Sequence, residues 1–168
     1  FNTGWWRKSR GRVQARGCEE FWHLPAGVAE DLMGCGLIIL RAHDFTPSGF
    51  IAPGWLMSEG SVKAAVKLGF HYTCTLSQIV DLRGPFRRRA FTTSQRPQSS
   101  LSGPGLIWNR MLVSVNSRFM TTTRVSIHPN DLRETRLRES NLELCRMLKQ
   151  AGFVNETYAQ CVHRMCHS

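Results

Sequence analysis

Short apolar runs alternate along this chain with longer stretches of helical periodicity, and few folds accommodate that order. Val28, Leu32, Cys35 and Ile39 recur at three- and four-residue steps, which predicts a helix over 25–43 with one apolar face and Pro25 near its start. A turn at Phe45-Thr-Pro-Ser-Gly49 follows, then the run Phe50-Ile-Ala52, which reads as a short strand stopped by Pro53. Ser58 is an expected N-cap for a helix over 61–68 that Gly69 closes. Strands are expected at 70–75 and 79–82, and a helix at 106–119 with Trp108, Leu112 and Val115 on one face. A strand at 125–128 and a helix at 140–150, stopped by Gly152, complete the series. Residues 84–104 lack periodicity and read as a long loop with a short extended piece around 90–93.

Helices of ten or so residues between short apolar strands predict an α/β fold with parallel strands near Phe50, Phe70, Ile79 and Val125. A closed barrel of parallel strands normally takes about 250 residues. The 168 residues here show about four strands, so the expectation is a single domain forming part of a (β/α) barrel, without its N-terminal strands. The chain starts at Phe1 rather than a methionine, which reads as an incomplete N-terminus or equally as a processed or trimmed one.

Twenty-two Lys and Arg against twelve Asp and Glu leave a net charge of +10, which favours anionic partners. The basic residues fall into a lead-in over 1–19, a cluster at Arg87, Arg88 and Arg89, and another at Arg133, Arg136 and Arg138. No zinc-finger, helix-turn-helix or aromatic RNA-binding signature accompanies them, so nucleic acid is kept as a partner but not favoured over a solvated basic surface. No run approaches the roughly 18 to 20 apolar residues of a membrane helix, and no signal-peptide pattern opens the chain; a cytoplasmic location is expected. The six cysteines are irregularly spaced, without a CxxC pair, and most are read as reduced thiols. Cys161, His163, Cys166 and His167 offer soft ligands within seven residues, but so short a run suits tetrahedral zinc poorly; a frayed helix end is the competing reading.

The run Arg124-Val-Ser-Ile-His128-Pro-Asn-Asp131-Leu132 is the candidate site. A β-branched strand ends on a histidine, and a Pro-Asn-Asp turn follows at once. In barrels of parallel strands the C-terminal end carries the chemistry. Histidine gains or loses a proton near neutral pH, which suits general acid–base work there. A buried histidine bonded to a carbonyl is the alternative.

Four pieces in order, Glu20-Phe21, Gly49-Phe-Ile-Ala-Pro53-Gly-Trp55-Leu-Met-Ser58, Gly69-Phe70-His-Tyr72-Thr73 and Val125-Ser-Ile-His128-Pro-Asn-Asp131-Leu132, resemble an uncharacterised bacterial branch of the polysaccharide deacetylase superfamily. The match covers about residues 16–160, and its Ala-Pro-x-Trp-x-x-Ser and Ile-His-Pro-x-Asp pieces are the more specific. The resemblance implies a distorted (β/α) barrel of the deacetylase type and a divalent metal, commonly zinc. It also implies hydrolysis of N-acetyl groups on sugars. His128 matches the late histidine that protonates the leaving amine; Pro53 and Trp55 match the motif that walls the groove, with Phe50 and Asp131 as further substrate contacts.

The chain also departs from the pattern. The family's base aspartate and its His-x-x-x-His metal ligands lie upstream of the Glu-Phe piece, and no histidine stands between Phe1 and Phe21. Ile51 occupies the place of the arginine usual two residues before the groove proline. Glu20 reads as a site carboxylate or as an ordinary solvated one, and Asp131 as supporting the site or capping the turn. The expectation is therefore that a full-length parent is a metal-dependent hydrolase removing an N-acyl group from a carbohydrate or related substrate, and that this chain is an incomplete part of it that lacks the metal ligands and is inactive alone. The alternatives are a small basic nucleic-acid-binding or interaction protein, and a non-catalytic relative that binds glycans through Trp55.

Overall fold

The computed structural model describes residues 20–94, 102–119 and 122–167. The basic lead-in and residues 95–101 of the expected loop lie outside them. The described chain is a mixed α/β protein that divides into two compact units. One extends to Arg88 and resumes at Thr157; the other runs from Arg89 to Glu156.

In the first unit, α1 (Ala26–Arg41) packs on α2 (Glu59–Lys67). The buried stripe of α1 is Ala29, Met33 and Leu37, which meets Ala64, Ala65 and Phe70. This corrects the expected face: Val28, Leu32, Cys35 and Ile39 are exposed. Both stripes repeat at helical spacing, about 100° apart on the cylinder, so periodicity does not choose between them. Close approach does. A Cβ on Gly60 would lie 2.7 Å from the Ala26 nitrogen and 2.8 Å from the Leu24 carbonyl oxygen, so the helices meet through glycine and alanine.

Ser58 is the N-cap of α2, as expected: its Oγ accepts the Ser61 N–H at 2.9 Å and donates to the Leu24 carbonyl at 2.6 Å. Gly69, at φ 81°, ends α2, with the Phe70 N–H donating to the Ala65 carbonyl. The segment expected as a strand at Phe50 makes only an isolated parallel bridge, Gly49 to Tyr72. Pro53 has no N–H to extend a ladder and starts a 3₁₀ turn, Pro53–Trp55.

Strands β1 (Tyr72–Cys74) and β2 (Gln78–Asp81) pair antiparallel, Thr73 opposite Val80. This corrects the all-parallel expectation. Only residues 75–77 connect them, whereas a parallel connection needs a dozen or more. The Thr75 N–H donates to the Gln78 carbonyl and closes the hairpin. The last helix, here α5 (Tyr158–His167), packs on this hairpin with Cys161 and Val162 buried. The tail is thus the end of a helix.

The second unit holds most of β3 (Arg87–Ser94), then α3 (Ser102–Arg118), β4 (Thr122–Ser126) and α4 (Thr135–Gln150). β3 and β4 are parallel, Thr92 opposite Arg124, with α3 in the connection between them. β3 fills much of the stretch read as a loop and contains its expected extended piece. Its three arginines hid the strand, because polar side chains are tolerated on an exposed strand face: Arg87 and Arg89 are exposed and Ala90 is buried. α4 begins at Thr135, a turn before the expected start, and Gly152 at φ 84° follows its end.

The face of α3 is a second correction. Trp108 is 60% exposed and Val115 is also exposed, whereas Asn109 is 3% exposed and Val113 and Asn116 are buried. The Asn116 side-chain amide donates to the Thr122 carbonyl and to the Thr123 hydroxyl, so hydrogen bonding to β4 orients the helix.

Candidate functional site

His128 lies two residues beyond the end of β4, the C-terminal end of a strand in a parallel pair, and is exposed. The buried-histidine alternative is therefore corrected. The local sequence explains the geometry. Pro129 starts a 3₁₀ turn, Pro129–Leu132, where a missing N–H costs nothing. Asp131 stands three residues after His128, where an acidic side chain reaches back to the residue that opens the turn. Its Oδ2 accepts the His128 N–H at 2.9 Å, and its own N–H donates to the His128 carbonyl at 2.9 Å. Asp131 is 0% exposed, and among the described residues its Oδ1 has no hydrogen-bond partner.

Phe50, Pro53 and Trp55 belong to the first unit. Phe50 is half-buried between Phe21, at a ring-centroid distance of 4.8 Å, and Phe70, at 5.7 Å. Pro53 is exposed and Trp55 half-buried. Gly54 (φ 64°) and Trp55 (φ 57°) are consecutive left-handed residues, the second a conformation that a bulky side chain rarely adopts. The Trp55 N–H donates to the Ala52 carbonyl and closes this turn. Glu20 is exposed.

Three of the four quoted sequence pieces converge here. The Phe21 carbonyl accepts the Ser58 N–H and the Ser61 hydroxyl, both at 2.8 Å. Phe70 packs on Phe50, and the Phe50 N–H donates to the Tyr72 carbonyl. The serine of the Ala-Pro-x-Trp-x-x-Ser piece thus acts as a helix cap and strut, a role its sequence position already suggested.

The described residues contain no group of three or more His, Cys, Asp or Glu side chains placed to hold a metal. They do not fit the zinc site that the resemblance implies, and no chemical step is assigned to one. In the tail, Cys161 is buried, His163 is exposed, and the Cys166 thiol donates to Asp81. Cys35 and Cys145 are exposed thiols. Among the described residues no helix is long and apolar enough to cross a membrane.

Sequence reading missed an open polar groove of about 720 Å³ in the second unit, lined by Arg110, Arg136, Glu139, Glu143 and Arg146 among others. Arg110 and Glu143 form an ion pair across α3 and α4. Arg136, Glu139, Glu143 and Arg146 recur at helical spacing on α4, the one signal that could have indicated it. No family model, no curated protein and no solved structure matches the chain.

Proposed function

We propose that this chain is part of a hydrolase of the polysaccharide deacetylase type, built on a partial (β/α) barrel, that removes an N-acyl group from a carbohydrate or related substrate. The observation that carries the reading is His128: an exposed imidazole just past the C-terminal end of β4, with its backbone held by a buried aspartate. Strand ends of parallel sheets are where α/β folds place ligands.

Amide hydrolysis needs a proton on the departing nitrogen, because an unprotonated amine leaves poorly. Water adds to the acyl carbon and releases one proton to bulk solvent, His128 as imidazolium donates its proton to the amide nitrogen, and the C–N bond breaks to give a carboxylic acid and an amine, after which His128 takes a proton back from solvent. Within the first unit, taken by itself, Pro53 and Trp55 form a turn that Phe50 supports from the core, and the resemblance implies an apolar surface for a sugar there. The divalent metal of the resemblance would take ligands other than the described residues.

The test is release of acetate from N-acetylated chitooligosaccharide, with and without added zinc, by the wild-type chain and by His128→Ala. A positioned acid typically contributes about a hundred- to ten-thousand-fold in rate. Loss of at least the lower figure in the variant is expected. Equal acetate release by both proteins would overturn the role of His128. Oligosaccharide binding without any hydrolysis would favour the non-catalytic glycan-binding reading.

A further inference from the structure

We infer that Asp131 is the positioning residue of His128, fixing the backbone from which the imidazole projects; the inference rests on the reading of His128 as the general acid. Three features of the turn lead there. The two residues are joined twice, by the His128 N–H on Asp131 Oδ2 and by the Asp131 N–H on the His128 carbonyl, each at 2.9 Å. Pro129 between them has a restricted φ, so little freedom remains in the backbone that the pair encloses. And Asp131 is wholly buried while His128 is exposed, so the anchor is inside and the anchored group faces outward.

The choice of an acid is informative. Burying a carboxylate is costly unless its oxygens are satisfied, and Oδ1 has no hydrogen-bond partner among the described residues. A serine or asparagine caps a turn without that cost. What the carboxylate adds over a hydroxyl or an amide is a second acceptor oxygen, and charge-assisted bonds to such a group are stronger than neutral ones. That strength falls on the backbone N–H of the one residue whose placement the proposed chemistry depends on. Proton delivery requires the donor within about 2.6 to 3.2 Å of its acceptor, and a misplacement of about 1 Å can cost a hundredfold in rate. The clasp leaves His128 only its side-chain rotations for reaching a substrate.

The experiment compares the wild-type chain with Asp131→Ala and Asp131→Asn by hydrogen exchange at the His128 amide, read from ¹H–¹⁵N NMR spectra without substrate. Loss of a charged acceptor should speed exchange of that amide roughly ten- to a hundredfold in the alanine variant. The asparagine variant, which keeps an acceptor oxygen, should restore most of the protection. In the acetate-release assay, Asp131→Ala should lower kcat by about a hundredfold with KM little changed, and Asp131→Asn should recover part of it. Unchanged exchange in the alanine variant overturns the clasp, and exchange that rises with kcat unchanged overturns the positioning role. If the alanine variant does not fold, the wild-type amide decides: no protection relative to neighbouring loop amides overturns the inference. Should His128→Ala release acetate as the wild type does, the general-acid reading fails, and the amide measurement still reports on the clasp.

Discussion

The Sγ of Cys166 lies 3.4 Å from Oδ2 of Asp81 and donates its proton to it, tying α5 to the end of β2. Asp81 is buried, and its other oxygen accepts the Arg83 backbone N–H at 3.1 Å. Burial pushes the Cys166 thiol up, the Asp81 carboxylate raises it further, and Arg83 opposes them in part.

The first prediction concerns that thiol. A raised value means less thiolate at a given pH, and the thiolate is the nucleophile. Iodoacetamide at pH 8 should label exposed Cys35 and Cys145 before Cys166, as read by peptide mass spectrometry. Labelling of Cys166 should climb as pH passes the ordinary thiol value. The contact's contribution to stability is fully present below that value and fades as pH rises through the folded one. Asp81→Asn should bring Cys166 labelling forward to lower pH; an unaltered rate would mean that the carboxylate has no hold on the thiol.

Ser58→Ala removes both the cap on the Ser61 N–H and the strut to the Leu24 carbonyl. Urea denaturation should show a loss of about 1 to 2 kcal/mol, the upper range for an N-cap. Ser58→Asn, which can still accept the N–H, should lose less.

Glycine substitutions should differ in sign. A Cβ on Gly49 would lie 2.2 Å from the Tyr72 ring, so Gly49→Ala should destabilise by about 1 to 3 kcal/mol. The added change Tyr72→Ala should cancel part of that loss. Gly36, within α1, has nothing within 4 Å of the added atom, and Gly36→Ala should stabilise by up to about 1 kcal/mol. Thermal melts of the three variants check both directions.

His128→Ala and Asp131→Ala should separate in stability. His128 is exposed, so its loss should change unfolding free energy by no more than about 0.5 kcal/mol. Loss of buried Asp131 leaves the His128 N–H without its acceptor and should cost about 1 to 3 kcal/mol. Equal effects in chemical denaturation would show that the two residues do not divide the work as described.

Much of the local structure was legible in the amino-acid order. Ser58, Gly69 and Gly152 mark helix ends because caps and left-handed stops are set by residues within a turn of the boundary. His128-Pro-Asn-Asp131 likewise encodes the end of β4 and the turn beyond it, so the most clearly readable part of the candidate site was a matter of near neighbours. The antiparallel hairpin was legible too, in the three residues between Cys74 and Gln78, although the apolar runs themselves suggested a parallel pair.

What the sequence by itself determined was the caps and stops at Ser58, Gly69 and Gly152; which side of each helix faces inward was decided only in the folded chain. α1 carries two apolar stripes, and the one with Ala29 is buried because glycine and alanine let α2 approach it. α3 turns Asn116 inward and Trp108 outward because Asn116 bonds to β4. The later part of β3, Ala90 to Ser94, is a strand because it finds β4 as a partner, and the burial of Asp131 beneath exposed His128 is likewise a property of packing. Caps and stops act over a few bonds. A face is chosen by the free energy of contact with residues far away in sequence, and no local pattern contains that quantity.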